Sequence, residues 1–197
     1  SDKFKYNLKM GPPLEEKLFI KLEKWRTLLY KMNFIGEYPT EKVGFGNLSQ
    51  RINSGINEFV ITGTQTGKYP LLNATQYTKI TKCDLTKMTI EAVGPIAPSS
   101  ESTTHFAIYK SAPQISAIFH VHHKALWEYM LNNEFSKTPK DINYGTQDMA
   151  EAVKTCIGKK KNGILVMAGH EDGIISYGVT PEEAGKLLLE TLKESKK

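Results

Sequence analysis

Cysteine is scarce, with two in 197 residues. Cys83 and Cys156 lie far apart and form no C-x-x-C, so the chain offers no disulfide framework. Two buried, reduced thiols in a cytoplasmic protein are expected. Long apolar runs are also missing. The longest falls well short of a membrane span, and no signal peptide opens the chain, so neither a membrane partner nor secretion is expected. Charge of one sign is modest, at +5 net, and lysine supplies nearly all of the excess. No basic stripe interleaves with aromatics, which speaks against nucleic acid, whereas mild positive charge suits anionic metabolites. Internal repeats and low-complexity linkers are absent. With 40% hydrophobic and 24% charged residues, the chain can build a core and is not of disordered type. One domain over residues 1–197 is expected, with residues 1–13 as an N-terminal arm.

Hydrophobic spacing supplies the elements. Leu18, Leu22, Trp25, Leu29 and Met32 recur at helical period and predict a core-facing helix that Gly36 stops. Asn57–Thr62 and Met88–Val93 read as strands from their β-branched and aromatic content. Ser99 and Ser100 are suited to cap a helix running to Tyr109. Ala125–Leu131 and the segment opened by Thr146 read as helices, the latter with Met149, Val153 and Cys156 on one face. The last helix has the clearest start, with Thr180 as cap, Pro181 in the first position and Glu183 closing a capping box. Leu187, Leu188 and Leu192 should face inward. Strands and helices alternate along the chain, so the class is α/β or α+β, with helices covering a central sheet.

Two apolar runs finish on imidazole. Ile115-Ser116-Ala117-Ile118-Phe119-His120-Val121-His122 is one, and Gly163-Ile164-Leu165-Val166-Met167-Ala168-Gly169-His170 is the other. Residues two apart on a strand share a face about 7 Å apart, so His120 and His122 form a chelating pair. An H-x-H pair by itself also fits two hydrogen-bonded strand-end residues. Here His170 can supply a third nitrogen, and three protein ligands with one open position build a catalytic zinc site. His123 should point away from that face. His105 lies four residues after Glu101, where it either orients that carboxylate or packs as a structural residue.

The motifs Gly46-Asn47-Leu48-Ser49, Thr62-Gly63-Thr64-Gln65-Thr66-Gly67, Pro98-Ser99-Ser100-Glu101, His120-Val121-His122 and Gly169-His170 occur in that order. In this they resemble the class II aldolase/adducin family, from about Val43 to the last helix. The resemblance implies a three-layer α/β/α fold with a central, largely antiparallel sheet. It implies a divalent metal on His120, His122 and His170, zinc first, with Mn2+, Fe2+ or Co2+ as alternatives. Glu101 would lie beside it as ligand and as acid or base. Asn47, Thr66, Gly67, Ser99 and Ser100 would hold a substrate phosphate. The reaction implied is aldolase-type cleavage through a metal-stabilised enediolate, with epimerisation, dehydration or decarboxylation as alternatives. A non-catalytic adducin-like scaffold is the alternative of another class, disfavoured because the metal-ligand histidines are retained. A homo-oligomer, expected to be a tetramer, is also implied.

Three departures from the family pattern stand out. The segment after the H-x-H strand is short and lacks the family's tyrosine-bearing piece, leaving Tyr129 and Tyr144 as stand-ins. His123 and Lys124 follow the pair directly. Glu171-Asp172-Gly173 replaces the usual glycine after the final histidine.

Overall fold

The computed structural model describes residues 4–143 and 145–197. The chain enters through strand β1 (Lys5–Met10), a 3-10 turn at Glu16–Leu18 and helix α1 (Ile20–Lys31). A short hairpin of β2 (Gly36–Tyr38) and β3 (Val43–Phe45) leads into β4 (Asn47–Arg51), β5 (Phe59–Thr62), β6 (Tyr77–Asp84) and β7 (Thr89–Gly94). Helix α2 (Ser102–Ser111), β8 (Ala117–His122), α3 (Lys124–Leu131) and β9 (Ser136–Thr138) follow. Helix α4 (Gln147–Ile157), β10 (Gly163–Met167), β11 (Gly173–Gly178) and α5 (Pro181–Ser195) complete it.

Among the described residues, nine strands form one sheet in the order β1-β7-β6-β5-β4-β8-β11-β10-β9. Every pairing is antiparallel except those of the two edge strands, β1 with β7 and β9 with β10. Within the expected arm, Lys5–Met10 do not hang free, because they add to the ladder beside Thr89–Gly94. A mostly exposed strand of alternating polar residues gives little hydrophobic signal, which is why the sequence reads as an arm.

The sheet is buried on both faces. Leu48, Val60, Phe119, Val121 and Ile174 pack with residues of α1, α3 and α5 on one side. Phe59, Ile61, Ile118, Ile175 and Tyr177 pack with α2 and α4 on the other. This is the three-layer arrangement. Strand alternation then decides where the polar residues go. His120 and His122 continue the row of Ile118, while Asn47 and Ser49 flank Leu48, so all four face the α2 side. Truncating a fully buried core residue such as Leu188 would cost about 2–5 kcal/mol.

Local signals decide the ends. Thr180 accepts from the Glu183 amide at 3.1 Å, with Pro181 at the first turn, so α5 starts where its capping residues place it. Leu188 and Leu192 are buried, whereas Leu187 is only half-buried on the helix flank. In α1, Leu22 and Leu29 are fully buried, but Leu18 falls in the preceding 3-10 turn and Met32 forms the C-cap. Ser99 and Ser100 do not cap α2. The helix begins two residues later, and the Ser99 carbonyl instead receives the Ser102 hydroxyl at 2.8 Å. His123 is the N-cap of α3, its Nδ1 accepting from the Leu126 amide at 3.0 Å, which gives it a structural role.

Candidate metal centre

Strand β8 sits inside the sheet between β4 and β11, with Asn47 opposite His120 on one side and Gly173 opposite His122 on the other. The third imidazole arrives differently from the sequence expectation. Strand β10 ends at Met167, and His170 lies in the turn to β11, held by its amide on the Met167 carbonyl at 3.2 Å. Apolar character continues through Ala168 and Gly169, so the strand's end is not visible in the sequence.

All three imidazoles present Nε2 to one point. The His120 and His122 Nε2 atoms are 3.1 Å apart, and those of His122 and His170 are 3.0 Å apart. Nitrogens bound tetrahedrally at 2.0–2.1 Å from a zinc ion would be separated by about 3.3 Å. Glu101 joins the cluster, with Oε2 at 3.2 Å from His120 Nε2 and Oε1 at 3.9 Å from His170 Nε2.

The protonation pattern follows from the hydrogen bonds. Tyr38 donates its hydroxyl proton to Asp172 Oδ2 at 3.1 Å, since a carboxylate can only accept. The contact at 2.7 Å between the Tyr38 oxygen and His122 Nδ1 must then be donated by the imidazole. His122 is thereby the Nδ1–H tautomer, and its Nε2 lone pair is bare. Burial pushes the His120 pKa down to about 3, and burial with the neighbouring imidazoles pushes His122 lower still, so both are neutral near pH 7. Neutral imidazoles with converging lone pairs repel unless a cation lies between them. The donor set therefore fits a divalent transition metal. Burial first, then Asp172, pushes the Tyr38 phenol well above its ordinary range.

A second chain of hydrogen bonds ends on Glu101. Asn47 donates Nδ2 to Glu101 Oε2 at 2.7 Å, which leaves its Oδ1 facing His105 Nε2 at 2.6 Å. His105 must donate there, so its Nδ1 accepts from Ser49 Oγ at 2.5 Å, and Ser49 in turn accepts from the Tyr109 hydroxyl at 2.8 Å. Burial, then His120, pushes the His105 pKa down to about 3, consistent with a neutral donor. His105 is thus both packed and orienting, acting on Glu101 through Asn47. The sequence showed the Glu101–His105 spacing but not the intermediary.

The residues expected to hold phosphate come together. Asn47, Thr66, Gly67, Ser99 and Ser100 line one cleft of about 40 Å3, together with Glu101 and the glycines Gly44, Gly46 and Gly63. Gly46 turns the chain into β4 at φ +92°, where any side chain would be strained and a Cβ would meet Ile35 Cγ1 at 2.7 Å. A Cβ on Gly67 would collide with the Gly36 carbonyl oxygen. The Thr66 hydroxyl bonds back to the Gly63 carbonyl at 2.8 Å, and both ends of the Asn47 amide are already engaged. Among the described residues, no lysine or arginine lines this cleft, which opens beside the N-terminus of α2. A wider cleft of about 490 Å3 opens on His122 and His170 and is lined by Tyr38, Glu41, Glu171 and Asp172.

Tyr129 does not reach the cluster. It packs on Phe135 beside α3, at 5.9 Å between ring centroids. Tyr144 lies outside the described residues. Among the described residues Tyr38 is the tyrosine at the site, and nothing around it in sequence marks it, because hairpin pairing and not spacing carries it to His122.

A family description, the Class II Aldolase and Adducin N-terminal domain, matches residues 29–195. The fold is similar to that of L-fuculose-1-phosphate aldolase from Thermus thermophilus, at 20% identity and a TM-score of 0.66, covering 92% of this chain and 91% of that one. It is similar to a sugar-phosphate aldolase from Thermotoga maritima, at 15% identity and a TM-score of 0.72, covering 92% and 93%. YgbL from Klebsiella pneumoniae, a putative aldolase/epimerase/decarboxylase, gives 20% identity and a TM-score of 0.67, covering 91% and 86%. No curated protein matches the chain.

Proposed function

The chain belongs to the class II aldolase and adducin family, and on that premise we propose that it is a metal-dependent enzyme acting on a small phosphorylated sugar or related compound. Aldolase-type carbon–carbon cleavage is the reaction proposed. The observation that carries this reading is the convergence of three Nε2 atoms and the Glu101 carboxylate beside a polar cleft.

His120, His122 and His170 would hold the ion, zinc by preference, since imidazole nitrogens in this number suit it best. When bound, such an ion polarises a carbonyl or hydroxyl oxygen of the substrate as a Lewis acid. The remaining steps belong to the chain. Glu101 is held on one oxygen by Asn47 and reaches the histidine cluster with both, so it can take a proton from a substrate hydroxyl or carbon and return it. The Ser99 and Ser100 hydroxyls, the Gly67 backbone and the start of α2 would hold the phosphate without a formal positive charge. Asn47 lines that cleft and holds Glu101, so it sets the base beside the phosphate position. The wider cleft takes the rest of the substrate. Epimerisation, dehydration or decarboxylation would use the same groups.

Elemental analysis of untagged protein should give close to one transition metal per chain. Glu101→Gln should keep the fold and much of the metal, and should lose turnover on whichever phosphorylated ketose wild type converts. A His120→Ala, His122→Ala, His170→Ala variant that holds metal as well as wild type would overturn the ligand assignment.

A further inference from the structure

We propose that Tyr38, anchored by Asp172, is the positioning residue that fixes His122 as a metal ligand. The inference rests on the metal-site reading above and adds to it the groups that set the geometry of one ligand.

Three observations carry it. The hydrogen bonds run in one direction, from His122 Nδ1–H to the Tyr38 oxygen and from the Tyr38 hydroxyl to Asp172 Oδ2, at 2.7 and 3.1 Å. A ring held this way has one tautomer and one orientation, both of which a metal ligand needs. Ring packing reinforces it. Phe45 stacks on His122 at 5.4 Å and touches Tyr38 at 4.6 Å, and pairing of Gly36 with Phe45 and of Tyr38 with Val43 brings both rings from one hairpin. Finally, Asp172 adopts φ +67°, a left-handed conformation that glycine enters at less cost. Its backbone carbonyl accepts from the His123 amide at 3.0 Å, so the turn that delivers His170 also delivers the anchoring carboxylate.

By contrast, His120 Nδ1 has no hydrogen-bond partner among the described residues. Of the two ligands on β8, the clamp therefore serves His122 alone. Tyr38 engages Nδ1 while the convergent atom is Nε2, and its hydroxyl proton goes to Asp172 although the ring lines the wider cleft. Tyr38 is thus placed to orient a ligand and not to donate a proton to substrate.

The test compares wild type with Tyr38→Phe, Asp172→Ala and Asp172→Asn. Each is titrated with Zn2+ against a chromophoric chelator, and the Co2+ form is followed by visible absorption. Tyr38→Phe and Asp172→Ala should weaken Zn2+ binding by about 10–100-fold and change the Co2+ bands. Asp172→Asn, which keeps an acceptor oxygen, should recover most of the affinity. Melting of the metal-free proteins should stay close to wild type for Tyr38→Phe, since the ring remains. Wild-type affinity and an unchanged Co2+ spectrum in Tyr38→Phe, with stoichiometric metal in wild type, would overturn the inference. Absence of metal binding by wild type itself would instead overturn the metal-site reading. Should Tyr38→Phe not fold, the contrast between Asp172→Ala and Asp172→Asn decides the same question, and equal wild-type affinity in both would overturn the inference.

Discussion

Replacing His105 with leucine tests the buried relay behind Glu101, and its effect should depend on pH in a calculable way. The substitution leaves the Asn47 Oδ1 atom without its partner at 2.6 Å, while Ser49 keeps the Tyr109 hydroxyl at 2.8 Å. A buried polar atom deprived of its partner costs about 1–3 kcal/mol, so one lost contact and one weakened contact give about 2–5 kcal/mol at pH 7.5. The wild-type histidine also carries a titration effect. Its folded pKa is held down at about 3, against an ordinary value of 6.5. The unfolded chain takes up a proton below 6.5 and the folded chain does not until near 3. The stability linked to this group is therefore present above 6.5 and is lost as pH falls toward 3. Between pH 7.5 and 5.0 that loss is about 2 kcal/mol in wild type and nil in the leucine variant. The gap between the two proteins should shrink by that amount. Urea unfolding of both metal-free proteins at the two pH values, with equal m, measures it, and the shared contributions of His120 and His122 cancel. A gap that stays constant with pH would refute a neutral, buried His105.

Three further outcomes are expected. Phosphate should raise the melting temperature of the wild type by binding the folded state alone, and Ser99→Ala with Ser100→Ala should abolish the shift; a persisting shift would place the anion elsewhere. Light scattering at micromolar concentration should show an oligomer, a tetramer by preference, and fuculose 1-phosphate and rhamnulose 1-phosphate should be cleaved weakly or not at all; a strict monomer, or robust cleavage, would count against the respective expectation.

Which parts were legible in the sequence follows from how local each cause is. Helix α5 was readable because Thr180, Pro181 and Glu183 act within one turn. Strand β8 was readable because Ile118, Phe119 and Val121 are apolar on both faces and its polar positions are histidines. Strand β1 was not, since its stability comes from a parallel ladder with a strand more than 80 residues away and not from its own pattern. The histidine cluster was visible as residue types in order. Its hydrogen-bonded support was not. Tyr38, Asp172 and His105 act through partners at separations of 84, 134 and 58 residues, and nothing in their neighbours records those meetings. The turn holding His170 was hidden for another reason, as Ala168 and Gly169 prolong the apolar pattern past the last ladder bond.

The strand order also sets a schedule for synthesis. Strand β8 pairs with β4, which precedes it, and with β11, which follows it. As the chain leaves the ribosome, His120 and His122 emerge together, but His170 follows 48 residues after His122. Until then an ion would meet only a two-nitrogen chelate, which would grip any transition metal loosely and discriminate poorly. Selection of the ion would be deferred until the β10–β11 turn closes, after β4 and β8 are made. The residues that line the small polar cleft beside Glu101 all precede that turn in the chain. On the proposed metal-site reading, loading would then be a late step, because only the β10–β11 turn brings the third nitrogen to the other two.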